Sequence, residues 1–140
     1  MINTLTNDNA EISTTEPGYG IGKISGGYVL IQVGHVESYL DGVKVTLSIG
    51  NPLYSDLTNC TLTTYYGPDI TNNDAPEKWR QTAKFVTTPI NNNLLAGRWT
   101  NQDVVIPAVS PSTCRHLSVY LECKGMSLLL PQQPPPISGN

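Results

Sequence analysis

The sequence predicts an all-β protein, an antiparallel β-sandwich of immunoglobulin-like type with about seven strands and extended N- and C-terminal arms. Apolar residues recur at every second position in several segments, as strands with one buried face require. Turn residues separate those segments at short intervals. No stretch carries an apolar repeat of about 3.6 residues over three turns, which an amphipathic helix would need.

From Met1 to Gly27 the chain is rich in Asn, Thr and Gly and shows little periodicity, so residues 1–27 read as an extended arm. The first strand runs from Tyr28 to Val36, and Asp41-Gly42 marks the turn after it. Val43, Val45, Leu47 and Ile49 then alternate with Lys44, Thr46 and Ser48, a half-buried strand closed by Gly50-Asn51-Pro52. Leu57 to Tyr66 follows, ending at Gly67-Pro68. A helical turn is predicted over Ala75 to Gln81, with Asp74 as its cap and Pro76 in its first turn. Strands resume at Thr82 to Thr88 and Trp99 to Ile106. Leu117, Val119, Leu121 and Cys123 alternate with Ser118, Tyr120 and Glu122, and Met126 to Leu130 is the last strand. Residues 28–130 thus form the sandwich, and 131–140 form a Pro-rich tail in which each proline removes a backbone donor.

The 140 residues suit one domain, because that length lies in the commonest domain range of roughly 100 to 150 residues. Charged residues make up only 14% of the chain, against roughly 25% in ordinary globular proteins, so the surface is dressed in Thr, Asn and Ser. A net charge of −3 without a basic cluster disfavours nucleic acid as a partner. The longest apolar runs fall far short of the roughly 20 residues that cross a bilayer, so no membrane span is expected. The N-terminus has no basic region, apolar core or cleavage site of a secretory signal. Cys60, Cys114 and Cys123 are an odd number; buried free thiols are the favoured reading and a Cys114–Cys123 bridge the second.

Four stretches between Gly27 and Leu130 carry a family resemblance. They are Ser38-Tyr39-Leu40-Asp41-Gly42-Val43-Lys44-Val45 with its continuation to Gly50-Asn51-Pro52, Tyr65-Tyr66-Gly67 with Trp79, Leu95-Ala96-Gly97-Arg98-Trp99-Thr100-Asn101, and Leu117-Ser118-Val119-Tyr120-Leu121-Glu122. In this order they resemble a family of uncharacterised bacterial envelope proteins, many of them lipoproteins, known as a domain of unknown function. The resemblance implies a compact β-sandwich and brings no catalytic residue with it. The chain departs from that family at its start, where it has neither a lipobox cysteine nor a preceding coiled-coil stretch.

No nucleophile stands beside a histidine and an acid in a recognisable turn, so no enzyme activity is expected. His35 and His116 read as structural, and the spacing of Cys114, His116 and Cys123 matches no standard zinc site. No metal and no cofactor are expected. Trp79, Trp99, Tyr65 and Tyr66 are mainly core and turn residues, with Trp79 the best placed to be exposed as a contact.

These readings lead to a non-catalytic structural or binding protein. The favoured expectation is a virion component, a phage capsid decoration or accessory protein held in a homo-oligomer or capsid lattice by its arms. The alternative is a periplasmic or surface binding module of a bacterial envelope. The interaction residues expected are Ile2, Leu5, Ile12, Tyr19, Trp79, Pro134, Pro135, Pro136 and Ile137, because apolar side chains in the arms have no core of their own to fill. Removing both arms should then leave the sandwich folded.

Overall fold

A strand with one apolar face must bury it against a second layer, and this chain does so with two antiparallel sheets of four strands. The computed structural model describes residues 8–70 and 75–128. The strands are β1 (Ala10–Ser13), β2 (Tyr19–Ile24), β3 (Gly27–Tyr39), β4 (Gly42–Asn51), β5 (Ser55–Gly67), β6 (Lys84–Ile90), β7 (Arg98–Ile106) and β8 (His116–Leu128). Helix α1 (Pro76–Thr82) joins β5 to β6. The first sheet has the order β1-β8-β5-β6 and the second β2-β3-β4-β7. The expected all-β sandwich is therefore present.

Alternation decides what fills the space between the sheets. Val43, Val45, Leu47 and Ile49 of β4 are fully buried, as are Val29 and Ile31 of β3 and Val104 and Ile106 of β7. They form one cluster with Leu57 and Leu62 of β5 and Leu117, Val119 and Leu121 of β8. Each such side chain contributes about 1.5–3 kcal/mol by leaving water. Lys44, Thr46 and Ser48, the alternate residues of β4, are only half-buried. The turn signal Gly50-Asn51-Pro52 gains a physical reason: Asn51 is buried, its amide donates to the Ser55 and Leu94 carbonyls (2.8 and 2.9 Å), and its oxygen accepts from the Leu53 amide (3.0 Å).

The described part of the segment expected as an N-terminal arm is instead built into both sheets. β1 pairs with β8 from Ala10↔Val119 to Ser13↔His116, and β2 pairs with β3 from Tyr19↔Gln32 to Ile24↔Gly27. The sandwich accordingly includes Ala10–Ser13 and Tyr19–Ile24 rather than beginning at Tyr28, and among the described residues it has eight strands. Ile12, expected as an arm contact, is 5% exposed within the core. At the other end, the two strands expected over Leu117 to Leu130 are one strand, β8. The glycines of β2 serve a close approach. A Cβ at Gly20 would lie 2.9 Å from the Glu11 carbonyl oxygen and 3.0 Å from its nitrogen, so β1 crosses β2 only where a side chain is missing.

Two other expectations need correction. Helix α1 has Pro76 in its first turn as expected, but Ala75 stands at its cap position without a side-chain hydrogen bond, and Asp74 lies outside the described residues. The cysteines are neither all free nor joined as Cys114–Cys123. Cys60 of β5 faces Cys123 of β8 directly across the ladder and forms a disulfide with it, while Cys114 is a buried free thiol. With 63 residues between its ends, the bridge contributes about 4 kcal/mol in the chain-entropy picture.

Truncating Ile12→Ala should cost about 2–4 kcal/mol, as for other buried aliphatic deletions, measured by urea denaturation. A cost within the noise of a surface substitution would restore residues 1–27 as an arm.

Candidate functional site

On the outer face of the first sheet, alternation brings Glu11 of β1 opposite Ser118 of β8, and α1 packs over both. The Ser118 hydroxyl donates to Glu11 Oε2 (2.8 Å), and Arg80 Nη1 donates to that oxygen (2.9 Å) and to Ser118 Oγ (3.1 Å). His116 Nε2 meets the other carboxylate oxygen, Glu11 Oε1, at 2.8 Å. Asn9 Nδ2 completes the set by donating to Ser118 Oγ (3.1 Å). Trp79 roofs the seam: its ring meets the His116 imidazole edge-on at 4.8 Å, and its indole N–H donates to the Pro68 carbonyl (2.8 Å). Ser118, one of the polar residues that alternate with the apolar positions of β8, is thereby fully buried.

The order of groups determines what this seam can do. A Ser-His-acid triad needs the imidazole between hydroxyl and carboxylate; here the carboxylate lies between the hydroxyl and the imidazole. The serine is also sealed from solvent. The arrangement fastens β1, β8 and α1 together through charge-assisted hydrogen bonds. Among the described residues, no group of three or more His, Cys, Asp or Glu is gathered to hold a metal ion. Cys123 is in the disulfide, Cys114 in the core and His116 in the seam, so the three residues weighed for zinc are dispersed. Beside Trp79 lies a cavity of about 240 Å³ lined by Tyr66, Pro68, Lys84, Val109 and Thr113, with Lys84 its only ionisable side chain apart from Tyr66 among the described residues. Burial pushes the Cys114 thiol above its ordinary pKa, and burial together with the charge of Cys114 does the same to the Tyr66 phenol.

The second sheet presents a different outer face. Its register sets Ile21 opposite Leu30, Leu30 opposite Gly50 and Gly50 opposite Trp99, a row that crosses all four strands. Trp99 lies over Gly50, where a Cβ would meet three of its ring atoms at 3.0 Å. Ile21 (51%) and Trp99 (53%) are exposed, and so are Tyr19 and Tyr28 on the flanking positions. Exposed apolar side chains scattered singly need no explanation, whereas a contiguous row of them marks a contact surface. Glu37, Lys44 and Tyr39 form a charged corner beyond it, with Lys44 Nζ 3.5 Å from Glu37 Oε2 and 4.8 Å from the Tyr39 ring centroid.

The expected interaction residues are therefore split. Ile12 is in the core, and Trp79 is only 6% exposed, so neither is a free contact; Trp79 is buried because the sheet beneath it offers a seat that its polar neighbours in sequence do not reveal. Tyr19 is exposed beside the apolar row. Ile2, Leu5, Pro134, Pro135, Pro136 and Ile137 lie outside the described residues. The four aromatics weighed together do not meet: Tyr66 is in the core, Tyr65 meets the Phe85 ring at a tilt with centroids 5.3 Å apart, and Trp99 is on the second sheet while Trp79 is on the helix over the first.

The architecture places the chain among two-sheet β-sandwich domains. No family model matches the sequence, and no curated protein matches it. Solved structures do. The trimeric lipoprotein SadB of Salmonella enterica is similar with a TM-score of 0.71 and 19% identity over 89% of this chain. This chain spans 66% of SadB, just under two thirds of its length. The solution structure of the uncharacterised lipoprotein YajI of Escherichia coli is similar with a TM-score of 0.64 and 12% identity, over 95% of this chain and 76% of that one. At these identities the likeness is one of fold.

Glu11→Ala should destabilise the protein by roughly 1.5–3 kcal/mol, the range for hydrogen bonds to a charged group, and should lower the amide exchange protection of β1 before that of β5. Equal protection in both variants would remove the seam from the account of how β1 is held. The two raised pKa values carry a sign: the unfolded chain loses these protons first, so the contribution of these two groups to stability is constant below the ordinary thiol range and falls above about pH 9. A denaturation midpoint that does not fall there, or a native thiol that ionises at its ordinary value, would contradict the burial of Cys114.

Proposed function

We propose that this chain is a non-catalytic binding module of the bacterial envelope that associates with copies of itself. The observation that carries this reading is the shared fold with two bacterial lipoproteins across nearly the whole chain. The Cys60–Cys123 disulfide supports it, because such bonds persist in oxidising compartments such as the periplasm and are rare in the cytosol. Self-association is supported by the neighbour whose own description is trimeric. The non-catalytic part rests on the seam, whose serine is buried and whose carboxylate occupies the place an imidazole would need. The contact surface is the row of Ile21, Leu30 and Trp99 with its flanking tyrosines.

The similar solved structures lend the virion reading no support. It rested in part on arms wrapping over neighbouring subunits, and the part of the N-terminal segment that is described belongs to the sandwich.

Fractionation of the cells that make the protein, with thiols alkylated before lysis, tests the envelope reading. The protein should fractionate with the envelope, with Cys60 and Cys123 joined and Cys114 alkylated only after denaturation. Recovery from the cytosol with Cys60 and Cys123 both alkylated would overturn it.

A further inference from the structure

A sheet edge offers unpaired N–H and C=O groups to any strand that fits, and proteins guard such edges. Among the described residues, three of the four edges are guarded. β1 and β2 close one side of the sandwich, where the Lys23 amide donates to the Asp8 carbonyl (2.9 Å). β6 carries Pro89, which has no donor, and an exposed Lys84. β7 has no proline and no bulge: its nine residues pair with β4 in unbroken register from Arg98↔Asn51 to Ile106↔Val43. Among the described residues no strand lies along its other side. The Gln102 side-chain amide folds back onto the Asp103 carbonyl (3.0 Å), a local partner for an acceptor on this bare edge.

We propose that β7 pairs with β7 of a second copy, antiparallel about a two-fold axis, joining two four-stranded sheets into one continuous sheet. This deepens the self-association in the proposed function and rests on it. The strand's own sequence selects the occupant and the register. A two-fold axis perpendicular to the sheet keeps every side chain on its own face, so opposed residues must be an even number of positions apart. One register pairs all nine residues, and it places Gln102 on the axis. There Trp99 (53% exposed) faces Val105 (44% exposed) of the second copy at both ends, so the exposed apolar side chains of β7 cover each other. In the middle, the Asn101 amide faces the Asp103 carboxylate. Arg98 meets Ile106, and Thr100 meets Val104. Moving the axis one position toward Ile106 opposes Asp103 to itself, which is repulsive. Moving it one position the other way sets Asp103 against Trp99 and leaves both ends unpaired.

Light scattering on the full chain across a concentration series should show twice the chain mass of 15.2 kDa. Val105→Glu places a carboxylate against Trp99 of the second copy and beside Lys44 of its own; it should weaken association about tenfold or more with the circular dichroism spectrum unchanged. Gln102→Cys should give a disulfide-linked pair on mild oxidation, and Asp103→Cys, one residue from the axis, should not. A monomer at every concentration would overturn both the β7 pairing and the self-association beneath it. An oligomer that Val105→Glu leaves intact and Gln102→Cys does not cross-link would overturn the β7 pairing alone, leaving self-association to another face.

Discussion

Glu11 accepts hydrogen bonds from Ser118 and Arg80 and meets His116, so one carboxylate ties the first strand, the last strand and helix α1 together. The rest of the sandwich depends on that tie because β1 contributes only four residues of ladder, too few to hold an edge by backbone pairing alone. With β1 in place, Ala10 and Ile12 complete the core and β2 can close against β1 at Gly20. The cost of burying charge is met because donors surround the carboxylate, the condition under which a partly buried ion pair is tolerated. Thr64 is the contrasting case: its hydroxyl oxygen is buried without a hydrogen-bond partner among the described residues, and the side chain serves there as a Val-shaped filler opposite Val119 and Val86.

The legible parts of the fold were those where side chains announce their own surroundings. β4 shows four buried aliphatics in strict alternation, and β8 shows three, so the sequence defines both faces of each. β2 inverts that signal. Its buried positions are Gly20 and Gly22, and its exposed ones are Tyr19, Ile21 and Lys23, so a strand looks like a flexible linker when apolarity is taken as burial. The disulfide required knowledge that β5 pairs with β8, which brings together cysteines 63 residues apart. The seam and the apolar row were hidden for the same reason: each is a property of register between strands distant in sequence, and no local window contains it.

The two outer faces are treated differently. Helix α1 covers polar residues on the first sheet, and the second sheet leaves apolar ones in the open. A chain that only needed to fold would do better the other way round, since burial of Ile21 and Trp99 stabilises more than burial of a carboxylate. The exposed row, together with the bare edge of β7 beside it, is thus better explained by association than by folding.

The pairing of β1 with β8 also governs when the domain can close. Asn9 and Ser118, bonded in the seam, are 109 residues apart, so the loop that must be closed spans most of the chain. Contacts of such separation form late and slowly, because the entropy of closure is lost before any contact is gained. During synthesis the first strand emerges long before its partner exists. Until the last strand follows, neither β1 nor β5 has the neighbour that joins them into one sheet.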